Sequence, residues 1–183
     1  MAKKITELPD ATLPLAAADL LPVVQGGVTK KAPISAIAGV VAKAFNSANV
    51  SIPTGAFTVV PLNTTIYEAG GESHSDTVNN SRLIAPVPGF YLCGSGAVFA
   101  FNATGRRMLR IMKNGSTPIA LDTRQAVTSS SGGTGMGSPV TPVQLVAGDY
   151  LTLEAYQDSG SSLDIVATAE YSPMLWMVRV MPA

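Results

Sequence analysis

The sequence predicts an all-β protein, a two-sheet antiparallel jelly-roll sandwich with an extended N-terminal arm and one short helix. Three observations predict it. Residues 81–101, SRLIAPVPGFYLCGSGAVFAF, read as a lead-in kinked by Pro86, Pro88 and Gly89 that opens into a long strand. In that strand Tyr91, Cys93, Ser95, Ala97, Phe99 and Phe101 fall on one face and Leu92, Gly94, Gly96, Val98 and Ala100 on the other. The aromatic face supplies buried area, and the small residues of the second face admit another backbone at close range. Downstream, short alternating runs are separated by turn signals, of which Asn114-Gly115 is the strongest. Finally, the chain is 46% hydrophobic and only 13% charged, which suits a β protein with large buried or partner-covered surfaces.

The arm comes first. In residues 1–33, Pro9, Pro14, Pro22 and Pro33 break every helix longer than two turns. Leu20, Leu21, Val23 and Val24 are too apolar for a solvated linker and too few for a core of their own, so they are expected to bind a partner. Burying such side chains contributes roughly 1.5–3 kcal/mol each before ordering costs. Gly26-Gly27 reads as a tight turn between strands at 20–25 and 28–32. Ile34, Ile37, Val41 and Phe45 then recur at helical spacing, which predicts a short helix over about 34–45. The domain boundary is expected between Phe45 and Phe57, giving an arm of residues 1–51 and a head of residues 52–183.

Within the head, 57–62 is a short apolar run, 68–80 a polar loop, and 106–113 an alternating strand that turns at Asn114-Gly115 into a return strand over 118–128. Residues 129–139, SSSGGTGMGSP, read as a flexible loop. Strands follow at 140–146, 150–156, 163–171 and 174–180, with turns at Gly148-Asp149 and Asp158–161. Roughly eight strands with short turns fit a two-sheet jelly roll.

Composition also excludes functions. Formal net charge is zero and basic residues occur at most in pairs, Lys3-Lys4, Lys30-Lys31 and Arg106-Arg107, which argues against nucleic-acid binding. No apolar run reaches a membrane span, so no membrane insertion is expected, and the N-terminus lacks a secretory apolar region. The single cysteine, Cys93, lies within the apolar strand and is expected as a buried free thiol. His74, with Glu72 and Asp76 beside it, sits in a polar loop and is expected to be solvated rather than a metal or acid–base centre. Gly132, Gly133, Gly135 and Gly137 lack the Lys-Ser/Thr and the helix of a phosphate-cradling loop. Asp149 and Asp158 read as turn caps. Asp122, Glu154 and Asp164 show no calcium-ligand spacing, and Tyr67, Tyr150, Tyr156 and Trp176 read as packing residues before a sugar platform. No catalytic residue, cofactor or metal is assigned, and the chain is expected not to be an enzyme.

Over about residues 57–180 the order of signals resembles the globular heads of the tumour necrosis factor-like and complement globular-head superfamily. The matching features are Leu83-Ile84-Ala85-Pro86 with Pro88-Gly89-Phe90-Tyr91, the Asn114-Gly115 hairpin, 145–153 (LVAGDYLTL) and the closing 172–176 (SPMLW). The resemblance implies a compact jelly roll that forms a homotrimer around an apolar and aromatic axis. This chain departs from it in having no collagen-like or coiled-coil stalk. The first third, with ITELP, DLLPVVQGG and VTKKA, is similar to the N-termini of bacteriophage fibre and other virion appendage proteins. That similarity implies a virion protein made in the host cytoplasm and attached to other virion proteins by its arm. Two readings stay open: a trimeric tail fibre or appendage presenting its head to a host-surface glycan or protein, and a capsid decoration protein that reinforces the shell.

Overall fold

The structure, a computed structural model, describes residues 20–33, 39–129 and 132–182. The chain divides into two compact units, Met1–Ala38 and Gly39–Ala183. In the first, β1 (Leu20–Gln25) and β2 (Val28–Pro33) form an antiparallel hairpin. Gly26 and Gly27 both take positive φ, +61° and +76°, which a two-residue turn of this twist requires.

The second unit is an antiparallel sandwich. Its strands are β3 (Val41–Phe45), β4 (Val50–Ile52), β5 (Thr58–Val59), β6 (Thr64–Ala69), β7 (Arg82–Ile84), β8 (Gly89–Phe99) and β9 (Arg106–Lys113). They continue as β10 (Thr117–Gln125), β11 (Thr134–Gly137), β12 (Thr141–Leu145), β13 (Tyr150–Gln157), β14 (Leu163–Ile165) and β15 (Met174–Met181). One sheet runs β10-β9-β13-β5, with β7 also on β13; the other runs β4-β14-β8-β15-β3-β6, with β11 and β12 also on β8. The predicted fold class is the observed one: an all-β, two-sheet jelly-roll sandwich.

Residues 89–99 organise the second sheet. Strand β8 pairs with β15 over Phe90–Gly96, with β12 over Gly89–Cys93 and with β11 over Gly96–Phe99. Its odd-numbered residues Tyr91, Cys93 and Phe99 are fully buried, as the alternation requires. They face Leu109 and Ile111 of β9 and Leu151 and Leu153 of β13, all fully buried in the two apolar clusters between the sheets. On the even face a backbone approaches closely at Gly96, where the Tyr171 carbonyl would stand 3.1 Å from a Cβ, whereas at Gly94 the close neighbour is a side chain. The Trp176 indole lies against Gly94, where a Cβ would stand 2.6 Å from Cζ2, and Met174 covers Gly96.

Three expectations are corrected. The helix over about 34–45 is not formed at its C-terminal end. Val41–Phe45 is strand β3, and residues 34–38 lie outside the described part. The segment VAKAF satisfies a period of two as well as one of 3.6, and tertiary pairing selects the first. Ala42 and Ala44 are fully buried, while β3 fills the slot between β15 and β6. The sandwich accordingly begins at Gly39 rather than at 52, because β3 and β4 are strands of its sheet. Third, the Gly-rich loop contains strand β11. Gly133 sits so close to the Phe99 carbonyl that no Cβ fits, and Thr134 and Met136 are buried. Composition suggested flexibility; the missing side chain instead permits close approach.

Gly94→Ala should therefore force the Trp176 ring off the sheet. We expect a loss of about 1–3 kcal/mol, read as a lower denaturation midpoint together with a changed tryptophan emission, since the chain has one tryptophan.

Candidate functional site

The outward face of the β8-containing sheet carries a row of large apolar side chains. Strand pairing sets Trp176 beside Gly94, Val178 beside Leu92, and Met174 beside Gly96. It places Val41, Lys43 and Phe45 next to Val178, Trp176 and Met174. Leu92, Val98, Trp176, Val178, Val41 and Phe45 are all half-buried there. At one end Phe90 and Met181 are paired and stand 37% and 55% exposed. Tyr67, 50% exposed, continues the row beyond Lys43. Lys43 is the one ionisable side chain of β3; around it the strands β8, β15 and β3 contribute Val, Leu, Phe, Met and Trp, while β12, β14 and β4 add Gln144, Asp164 and Ser51 toward the sheet's other side.

The opposite sheet turns a different surface outward. Tyr150 carries the Arg82 guanidinium over its ring at 4.1 Å, and Phe57 carries Arg110 at 3.6 Å. Arg110 also donates from Nε and a terminal nitrogen to Glu154 Oε2, at 2.8 and 2.6 Å. Phe57 and Tyr156 pack ring to ring at 5.2 Å. These cations are satisfied within the chain, and Val59, Ile84 and Leu121 stand exposed on the same sheet.

The four expected partner-binding residues do not form one patch. Leu20 and Val24 share one face of the hairpin and Leu21 and Val23 the other, because the side-chain period of a strand is two. Leu20 and Val24 are 54% and 74% exposed, whereas Leu21 and Val23 are half-buried. Of the aromatic platform, Tyr67 and Trp176 lie on one sheet and Tyr150 and Tyr156 on the other, so the four do not converge. Asp122, Glu154 and Asp164 are also separated: Asp122 pairs with Arg124, Glu154 with Arg110, and Asp164 lies on β14 against Ser51. Among the described residues no group of three or more His, Cys, Asp or Glu is placed to hold a metal ion.

His74 is not solvated. Its side chain is fully buried, with Nδ1 2.8 Å from Thr65 Oγ1 and Nε2 3.1 Å from the Asn80 carbonyl. Asp76 Oδ1 accepts from the Thr65 amide and hydroxyl, both at 2.7 Å, and Glu68 accepts from the amides of Ser73 and His74. The polar loop is thus pinned to β6, and Glu68 rather than the exposed Glu72 holds it. Cys93 is buried and its Sγ lies 3.4 Å from the Thr141 carbonyl; burial pushes the thiol up to about 11, which leaves it un-ionised and poorly nucleophilic at neutral pH. Arg107, which the sequence offers only as half of a basic pair, has a structural role. It is fully buried, donates to the carbonyls of Asn102, Thr104 and Arg106, and so staples the turn before β9. The alternation of β9 sets it on the same face as the buried Leu109 and Ile111.

No family model matches the chain, and no curated protein matches it in sequence. Solved structures match it in fold. Murine APRIL at pH 8.5 superposes with a TM-score of 0.57 at 14% identity, covering 78% of this chain and 100% of that one. Murine APRIL at pH 5.0 gives 0.58 at 14% identity with the same coverage. Eiger TNF from S. frugiperda gives 0.53 at 11% identity, over 79% of this chain and 93% of that one. The sandwich has the jelly-roll fold of tumour necrosis factor-like proteins. At these identities the likeness concerns the fold.

The turn cap expected at Asp149 is a clasp. Asn114 donates to Asp149 Oδ1 at 2.8 Å, and Lys113 and the Val146 amide donate to Oδ2 at 2.8 and 2.9 Å. Asn114, then Lys113, then the Val146 amide hold its carboxyl down at about 2, from an ordinary 3.8. The folded state thus binds this proton less tightly than the unfolded one, so the clasp contributes fully above about pH 4 and is lost as pH falls toward 2. Denaturant melts of the wild type and Asp149→Asn should differ by a constant amount at neutral pH, draw together as pH falls through 3 and converge only below about pH 2.

Proposed function

We propose that the chain is a structural protein of a bacteriophage virion, a trimeric tail fibre or tail appendage that is attached by its N-terminal arm and presents the jelly-roll head to the host surface. The observation that carries self-association is the outward face of the β8 sheet. Trp176, Phe45, Leu92 and Val178 adjoin one another there, with Phe90 and Met181 exposed at its end. A contiguous apolar surface of this kind marks an interaction site, and aromatic side chains in its centre dominate binding. A second copy of the same chain is the occupant that a neutral, symmetric assembly favours.

What supports the phage reading is the first third of the sequence, ITELP, DLLPVVQGG and VTKKA. What supports three copies is the tumour necrosis factor-like fold. The role is one of binding and architecture rather than catalysis. Its partners are other copies of itself, virion proteins at the arm, and a host glycan or protein at the head.

Leu92→Glu places a charge at the centre of the outward face without touching the core between the sheets. We expect the far-ultraviolet spectrum to be kept while the mass in solution drops from three chains to one, a loss of about 2 kcal/mol or more of association energy. A variant that remained a trimer would move the interface elsewhere. Deleting residues 1–33 should leave a head that folds but is not incorporated into particles. Normal occupancy of the truncated protein would transfer attachment to the head and favour the capsid decoration reading.

A further inference from the structure

The register of the hairpin decides how it meets other molecules. Gln25 and Val28 flank a two-residue turn, and in such a hairpin they exchange both backbone hydrogen bonds. The pairs Val23–Lys30 and Leu21–Ala32 then do the same, while Val24–Thr29, Pro22–Lys31 and Leu20–Pro33 turn their backbone groups outward. Both prolines of the ribbon therefore stand at outward-facing positions, one on each edge. The amides missing at Pro22 and Pro33 are those that would have served an added strand. Both edges are blunted, and the ribbon is built to meet a partner through its faces.

Along β1 both faces are apolar, while β2 sets Lys31 opposite Pro22 on one face and Lys30 opposite Val23 on the other. Leu20, Pro22 and Val24 lie on one, Leu21 and Val23 on the other, and all of them belong to β1, which carries no charge. Strand β2 carries Lys30 and Lys31, and residues 20–33 include no acidic side chain. A two-stranded ribbon is marginal by itself. Covering one face would leave the other wet, as a two-fold contact between like faces would do.

We infer that three copies of the hairpin pack face to back around the axis of the trimer, β1 inward and the lysines of β2 outward. The Leu20, Pro22 and Val24 face of each copy then covers the Leu21 and Val23 face of the next. A contact between two different faces is heterologous, and it closes into a ring when the rotation is three-fold. Uncharged strands meet at the axis, and the lysines of the three copies are kept apart in solvent. This inference rests on the trimeric reading above.

Disulfide trapping in the full chain tests it, because the native Cys93 is buried and supplies no competing thiol. The double variants Leu21→Cys/Val24→Cys and Leu20→Cys/Val23→Cys each place one thiol on either face, where the two cannot bond within a chain. On mild oxidation at least one of them should convert the 18.8 kDa chain into a covalent trimer that reductant dissolves, while Val24→Cys alone stays uncrosslinked. Covalent dimers from Val24→Cys alone would show like faces meeting and overturn the arrangement. So would the absence of crosslinks in both double variants while the protein still weighs three chains, an outcome that leaves self-association through the head intact. A wild-type chain that weighs as a monomer would overturn both readings at once.

Discussion

Strand β8 has both edges occupied, by β15 on one side and by β12 and then β11 on the other, and the sandwich depends on that pairing. A strand with no free edge must satisfy its backbone within the sheet, so its neighbours are held in register by hydrogen bonds along nearly its whole length. Register then decides everything that projects from it. Because the side-chain period is two, Tyr91, Cys93 and Phe99 enter the core and Leu92, Gly94 and Val98 leave it, and a slip of one residue would exchange the two sets. Where β8 carries Gly94, the space goes to the Trp176 ring. The same pairing that builds the core thus also builds the outward apolar face.

Polar groups are handled locally around this frame. His74 and Asp76 tie the loop of residues 72–80 onto β6, Asp149 clasps the turn at Asn114, and Arg107 holds three carbonyls ahead of β9. Each of these side chains takes its partners from backbone amides, carbonyls or immediate neighbours, and none points toward a shared centre. The outward faces differ as well. One sheet closes its arginines against Tyr150, Phe57 and Glu154, and the other leaves Phe90, Trp176 and Tyr67 with one side uncovered.

The hairpin of the first unit obeys a different rule. It gains little from its own ladder, and its prolines stand where a further strand would otherwise add. Zero net charge over the whole chain removes long-range repulsion between copies. The uncharged β1 and the lysine-bearing β2 give the ribbon an inside and an outside before any partner is present.

Strong local signals were legible in the sequence alone. The two-faced strand, read as far as Phe101 though it ends at Phe99, the Gly26-Gly27 and Asn114-Gly115 turns, and the alternation of 150–156 are set by backbone sterics and a period of two, which need no partner. The buried free thiol at Cys93 followed from the same alternation. Segments whose pattern fits two answers were decided by tertiary structure. Val41–Phe45 became a strand because β15 and β6 leave a slot for it, and Thr134–Gly137 because Phe99 offers a backbone to pair with. His74 is buried for a similar reason, since Thr65, Glu68 and the Asn80 carbonyl reach it across intervals of five residues and more. Local composition carries backbone preference, whereas burial and pairing are properties of residues far apart in the chain, and only the folded molecule brings them together.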